Sequence, residues 1–159
     1  MDIGPVSGKS EKVNLKVDTT AIRLVEIPEV GPEWESEHKI RALAVGGRAP
    51  AIDFLVQLKR DHRDDYKRIL KVMRLVGTQT RVRNENHVKR GKQHREIYEM
   101  RAHKGHARLL FFYAQAAVVI CTHGFQKAKE SAAEQNREFE KCELLRKRYL
   151  NWIAAGEVT

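Results

Sequence analysis

Apolar residues recur along this chain in two rhythms, and the switches between them mark its elements. In Thr20-Ala-Ile-Arg-Leu-Val-Glu-Ile27 the alternation is two-fold, with Ile22, Leu24 and Glu26 on one side and Arg23, Val25 and Ile27 on the other. That is strand chemistry, and Pro28 closes it. Between Gly31 and Gly47 the rhythm is weak; Trp34 or the run Ile40 to Val45 is a candidate for a short strand. From Pro50 the spacing lengthens. Ala51, Phe54, Leu55 and Leu58 fall at i, i+3, i+4 and i+7, with Pro50 at the first helical position and Asp53 in the first turn. A second stripe of Tyr66, Ile69, Leu70 and Met73 predicts an antiparallel helix, capped by Asp61 and ended by Gly77. Residues 78–95 show no apolar period, and a connection of that length in a compact domain is either disordered or functional.

Beyond it the two-fold rhythm returns in three predicted strands, at about 96–102, 107–113 and 117–123, with Lys104-Gly105 and Ala114-Gln115-Ala116 as turns. Ser131-Ala-Ala-Glu134 has the form of a capping box and opens a last helix. Its stripe is Phe139, Cys142, Leu145, Tyr149 and Trp152, and Gly156 ends it. Strand, two helices, three strands and a helix predict an α+β domain with helices on one sheet face. Residues 1–18 are polar and without period and read as a disordered tail, leaving 19–156 as one domain.

Charge sharpens this picture. The formal net charge is +9, and residues 60–108 hold 15 Lys and Arg against 6 Asp and Glu, so one central segment accounts for the whole excess. Positive charge concentrated in this way is the footprint of a nucleic-acid partner; the plain alternative is a solvated basic face. No apolar run approaches the roughly 20 residues needed to span a bilayer, and no N-terminal segment resembles a signal peptide. The two cysteines, Cys121 and Cys142, read as small core residues of a reduced protein. The expected location is the cytoplasm.

Four segments in this order, Gly47-Arg-Ala-Pro-Ala-Ile-Asp-Phe-Leu55, Ile97-Tyr-Glu-Met-Arg101, Arg108-Leu-Leu-Phe-Phe112 and His123-Gly-Phe-Gln-Lys127, resemble the HigB-type, phage-derived branch of the RelE/ParE toxin superfamily. The resemblance is strongest over 47–150. It implies a helical hairpin packed on a curved antiparallel sheet with a C-terminal helix, and a cognate antitoxin as partner. It also implies cleavage of mRNA on the ribosome, in the 30S A site, without a cofactor. ParE members instead poison DNA gyrase, and a catalytically weak nucleic-acid binder of the same fold is a further alternative. Two places depart from the family pattern: Ala107 stands where a tyrosine is usual, and the usual Lys-Lys pair is broken as Lys127-Ala128-Lys129.

Metal-independent RNA cleavage needs a base for the ribose 2′-OH, cations for the charge building on phosphorus, and an acid for the leaving 5′-oxygen. Glu99 and Arg101 lie two apart on a strand and share a face, with Arg108 across the turn. Arg101 and Arg108 are expected on the scissile phosphate, where a guanidinium offers bidentate contacts that lysine cannot. Glu99 is the expected base and His123, at the end of the third strand, the acid. The plain alternatives are an ion-pair ladder for the first three and a structural hydrogen bond for His123. Lys127, Lys129, Lys89, Arg90, Lys92 and Arg95 are expected on the RNA backbone, where each neutralised phosphate adds salt-sensitive affinity. His103-x-x-His106 matches no recognised zinc spacing, so no metal is expected.

Overall fold

The computed structural model describes residues 21–127 and 132–156. Strands β1 (Ile22–Glu26) and β2 (Lys39–Val45) form a hairpin interrupted by a 3-10 turn at Pro32–Trp34. Helices α1 (Pro50–Asp61) and α2 (Arg63–Thr78) follow, then β3 (Val88–Arg90), β4 (Tyr98–Arg101), β5 (Ala107–Ala114), β6 (Val118–Gln126) and α3 (Ala132–Ala154). The six strands make one sheet in the order β1-β2-β6-β5-β4-β3. Every pairing is antiparallel except β2 with β6, so the sheet is mixed where a purely antiparallel one is expected. No helix among the described residues is long and apolar enough to cross a membrane.

Helices cover both faces of the sheet, not one. Ile40, Ala42, Leu109, Phe111, Val119 and Cys121 pack under α1 and α2, while Leu43, Leu110, Phe112 and Ile120 pack with Cys142 and Tyr149 of α3. The sign was present in β5: Leu109-Leu-Phe-Phe112 is continuously apolar, which a strand needs only when both faces are buried.

Three local expectations also change. Asp61 is the last residue of α1 and spends its carboxylate on Arg60 at 3.0 Å, so α2 begins without a side-chain cap. α2 runs through Gly77 to Thr78; the glycine is there for closeness, since a Cβ would lie 1.9 Å from the carbonyl oxygen of Trp34. The Gly77 carbonyl accepts from the N–H groups of Glu37 and His38 at 2.8 and 3.0 Å, tying the segment between the 3-10 turn and β2 to α2. Gly77→Ala is therefore expected to push these segments apart and cost about 1–3 kcal/mol, read as a lowered midpoint in thermal unfolding.

The third change is the basic connection. It is neither disordered nor free: β3 forms within it and completes the sheet edge, pairing Val88, Lys89 and Arg90 with Met100, Glu99 and Tyr98. Arg81 lies over the ring of Tyr113 at 3.8 Å and Arg90 over Tyr98 at 5.5 Å, so aromatic rings of the sheet anchor its cations. Ser131 of the capping box, and the tail 1–18, lie outside the described residues.

Candidate functional site

β4 and the residue before it alternate, with Ile97, Glu99 and Arg101 on one face, where Ile97 packs with residues of α3, and Tyr98 and Met100 toward the helical hairpin. The register carries these faces across the sheet. Arg101 pairs with Arg108, and Glu99 with Leu110, which pairs in turn with His123. His123 reaches this face through a bulge. Leu110 opposes His123 while Phe111 opposes Cys121, so Thr122 is an extra residue on β6. In a regular strand His123 would point to the same side as Cys121, into the α1–α2 core.

Glu99 is 3% exposed. Its Oε2 lies 3.2 Å from Arg101 Nε and 3.7 Å from Arg108 Nε, while Oε1 is buried without a hydrogen-bond partner. Burial raises its pKa above the ordinary carboxylate range, against the pull of Arg108, Arg101, Lys89 and Lys127. Arg101 is held by its own backbone, its N–H donating to His87 O at 2.8 Å, and by Nη1 donating to Glu85 O at 3.1 Å.

Arg108 sits lower. It is 6% exposed and its Nη1 donates to the carbonyls of Ala107 and Gly105 at 2.9 and 3.2 Å, which closes the β4–β5 turn. Asp65 of α2 grips the same turn from the other face, its Oδ2 accepting from His106 N and Ala107 N at 3.0 Å each.

Above Glu99 opens a cavity of about 450 Å³ between the β3–β4 edge and the start of α3. Glu99, Arg101, Lys89, Arg90, Lys92 and Lys127 all line it, which brings together six of the residues singled out in the sequence. Arg108 and His123 do not line it, nor does Arg95, whose carbonyl instead accepts from Arg90 Nε. Lys129 lies outside the described residues. The walls also include His94, Gln135, Asn136 and Phe139, which sequence reasoning missed. No spacing could have found them, because only the β3 pairing and the seat of α3 bring them together.

His123 shares the sheet face of Glu99 but turns to α3. Its Nε2 lies 2.9 Å from Glu138 Oε1 and its Nδ1 3.1 Å from Thr122 Oγ1, which in turn lies 3.2 Å from Cys142 Sγ. Burial, and then Lys141, lower its pKa, and Glu138 raises it in part. The ring is neutral near pH 7, donating from Nε2 to Glu138, and pins α3 to β6. Its depressed pKa makes a stabilising contribution that is full above the ordinary value of 6.5 and falls away as pH drops through the lowered one. Between pH 7 and 5 the wild type is expected to lose more stability than His123→Asn, measured by urea unfolding at each pH.

A helical hairpin on one face of such a sheet, a C-terminal helix and a cationic cleft around a buried carboxylate describe a compact RelE-like domain. Residues 53–146 match the model of the family described as "Phage derived protein Gp49-like (DUF891)", and the chain belongs to that family, a RelE/HigB-like toxin family. The match runs from α1 into α3 and leaves the β1–β2 hairpin outside it. No curated protein matches the chain.

Proposed function

We propose that this protein is the toxin of a type II toxin–antitoxin pair, of the HigB type, and a ribosome-dependent mRNA endonuclease that works by acid–base chemistry of its own side chains. The observation that carries this reading is Glu99: a buried carboxylate with one unpartnered oxygen and a raised pKa, set beside Arg101 in a cleft lined by lysines. Glu99 borders the cleft, and its Oε1, buried and committed to no hydrogen bond, keeps a lone pair for a proton, as a general base must.

In the proposed reaction Glu99 Oε1 takes the proton of the ribose 2′-OH, which attacks the adjacent phosphorus. The bond to the 5′-oxygen breaks, leaving a 2′,3′-cyclic phosphate. Arg101 meets the charge building on the phosphoryl oxygens, a term worth about 3–4 kcal/mol for a well-placed donor. Arg108, behind Glu99, keeps a second positive charge beneath the reacting group. His94, on the cleft wall, would protonate the leaving 5′-oxygen. His123 acts as a positioning residue, holding through Glu138 the helix that forms the far wall. Lys89, Lys92, Lys127 and Arg90 bind the flanking backbone. A cognate antitoxin would hold the toxin in check, and both would act in the cytoplasm, where mRNA is translated.

Induced expression tests the reading against its rival. Growth arrest with fragmented reporter mRNA and unchanged gyrase supercoiling activity is the expected result. Arrest with intact mRNA and inhibited supercoiling would replace it with a gyrase-binding toxin.

A further inference from the structure

Arg101 lines a second cavity. On the side of β4 away from Glu99, a pocket of about 200 Å³ lies between α2 and the β4–β5 turn, bounded by Arg68 and Lys71 of α2, His103 and Lys104 of the turn, His87 and Arg101, with Val72 among its apolar surfaces. No carboxylate lines it among the described residues. His87 Nδ1 is buried without a hydrogen-bond partner beside it. The turn is fixed rather than loose: Asp65 accepts from two of its N–H groups, and a Cβ on Gly105 would lie 1.9 Å from Asp65 Oδ1. Lys104 is held there at φ +71°, a left-handed backbone that residues other than glycine seldom adopt. Carbon-rich walls about the size of a nucleobase under a rim of four cations fit one nucleotide, with its base inside and its phosphate at the rim.

We infer that this pocket is a second nucleotide subsite, taking the residue of the RNA strand that follows the scissile phosphate around Arg101. The inference rests on the RNA-cleaving reading of the Glu99 cleft and adds to it the path of the strand. One guanidinium borders both cavities, so a strand whose phosphate meets Arg101 has its neighbouring nucleotide at the rim formed by Lys71 and Lys104. A free mononucleotide carries the same base and phosphate, and the experiment separates the two sources.

Fluorescence anisotropy with 2′-O-methylated, uncleavable RNA of three and eight nucleotides compares the full wild-type chain with Lys71→Ala/Lys104→Ala. The control is Lys59→Ala/Lys147→Ala, which removes two exposed charges elsewhere. At 0.1 M salt the Lys71/Lys104 pair is expected to weaken the eight-mer by roughly 10–30-fold and to flatten its salt dependence by about 1.4 in log–log slope, two single-strand phosphates' worth. The three-mer, which has a nucleotide on each side of a phosphate and so reaches the subsite, should weaken in the same direction, and the control pair should stay within about twofold of wild type. If both double variants behave alike, the subsite is wrong while RNA binding in the cleft stands. If GMP, followed by NMR at Val72, His87 and His103, binds while Lys71→Ala/Lys104→Ala leaves both RNAs bound as tightly as wild type does, the pocket serves a free nucleotide and the strand path is overturned. Wild type that binds neither RNA nor GMP would overturn the subsite, while the cleavage reading, which requires the ribosome, is judged separately by cuts in the reporter mRNA.

Discussion

Asp65→Ala is expected to lose about 3 kcal/mol of folding stability, while Asp65→Asn keeps most of it. The aspartate is 9% exposed and accepts two backbone hydrogen bonds, from His106 and Ala107. Alanine leaves both N–H groups without an acceptor, at about 1–3 kcal/mol each, with partial relief from entering water. An asparagine side chain at this position would present the same oxygen and give up only the charge. That charge favours the first turn of α2 and lies 3.5 Å from Arg68 Nη1. A domain of this size shifts its midpoint by about 2–4 °C per kcal/mol, so differential scanning calorimetry should show Asp65→Ala about 6–12 °C below wild type. An equal loss in the two variants would mean that charge, not turn closure, is what Asp65 supplies.

The second large effect is expected in catalysis. Glu99→Gln keeps the size of the side chain and removes its basicity, and should slow cleavage about 10²–10⁴-fold, the range of a positioned general base. Because burial holds the Glu99 pKa above its ordinary 4.5, the acid limb of the wild-type pH–rate profile should also lie above that value. The sign follows from the role: a base must be ionised, so the rate climbs as pH rises through the raised pKa and levels off beyond it. In Glu99→Gln that limb should disappear. The folded variant can be checked by its unfolding midpoint, since the neutral amide no longer forms ion pairs with Arg101 and Arg108 and a loss of structure would otherwise mimic a loss of base.

Much of this was legible in the residues themselves. The i, i+3, i+4 stripe from Ala51 to Leu58 places α1, and the order of strands after residue 96 follows from local alternation between turn residues. Glu99 and Arg101 on one face follows from the geometry of any strand. What could not be read depends on contacts made across the chain. β3 has three residues and becomes a strand only by pairing with β4. β2 lies beside β6 in parallel, a pairing that joins residues some eighty positions apart and leaves no local trace. The Thr122 bulge reverses the direction of His123, and one extra residue in a nine-residue strand has no sequence signature. Asp61 shows how equal local cues compete: a good cap in isolation, it was already the end of the preceding helix.

Primer extension on a reporter mRNA in a reconstituted translation system tests the central proposal most directly, with wild type, Glu99→Gln and Arg101→Ala side by side. The expected result is a set of cuts that require ribosomes, fall in phase with codons in the wild-type lanes, and vanish with either substitution. Cuts of undiminished strength from folded Glu99→Gln would contradict it, because the buried carboxylate on which the proposed chemistry rests would then have no part in the reaction.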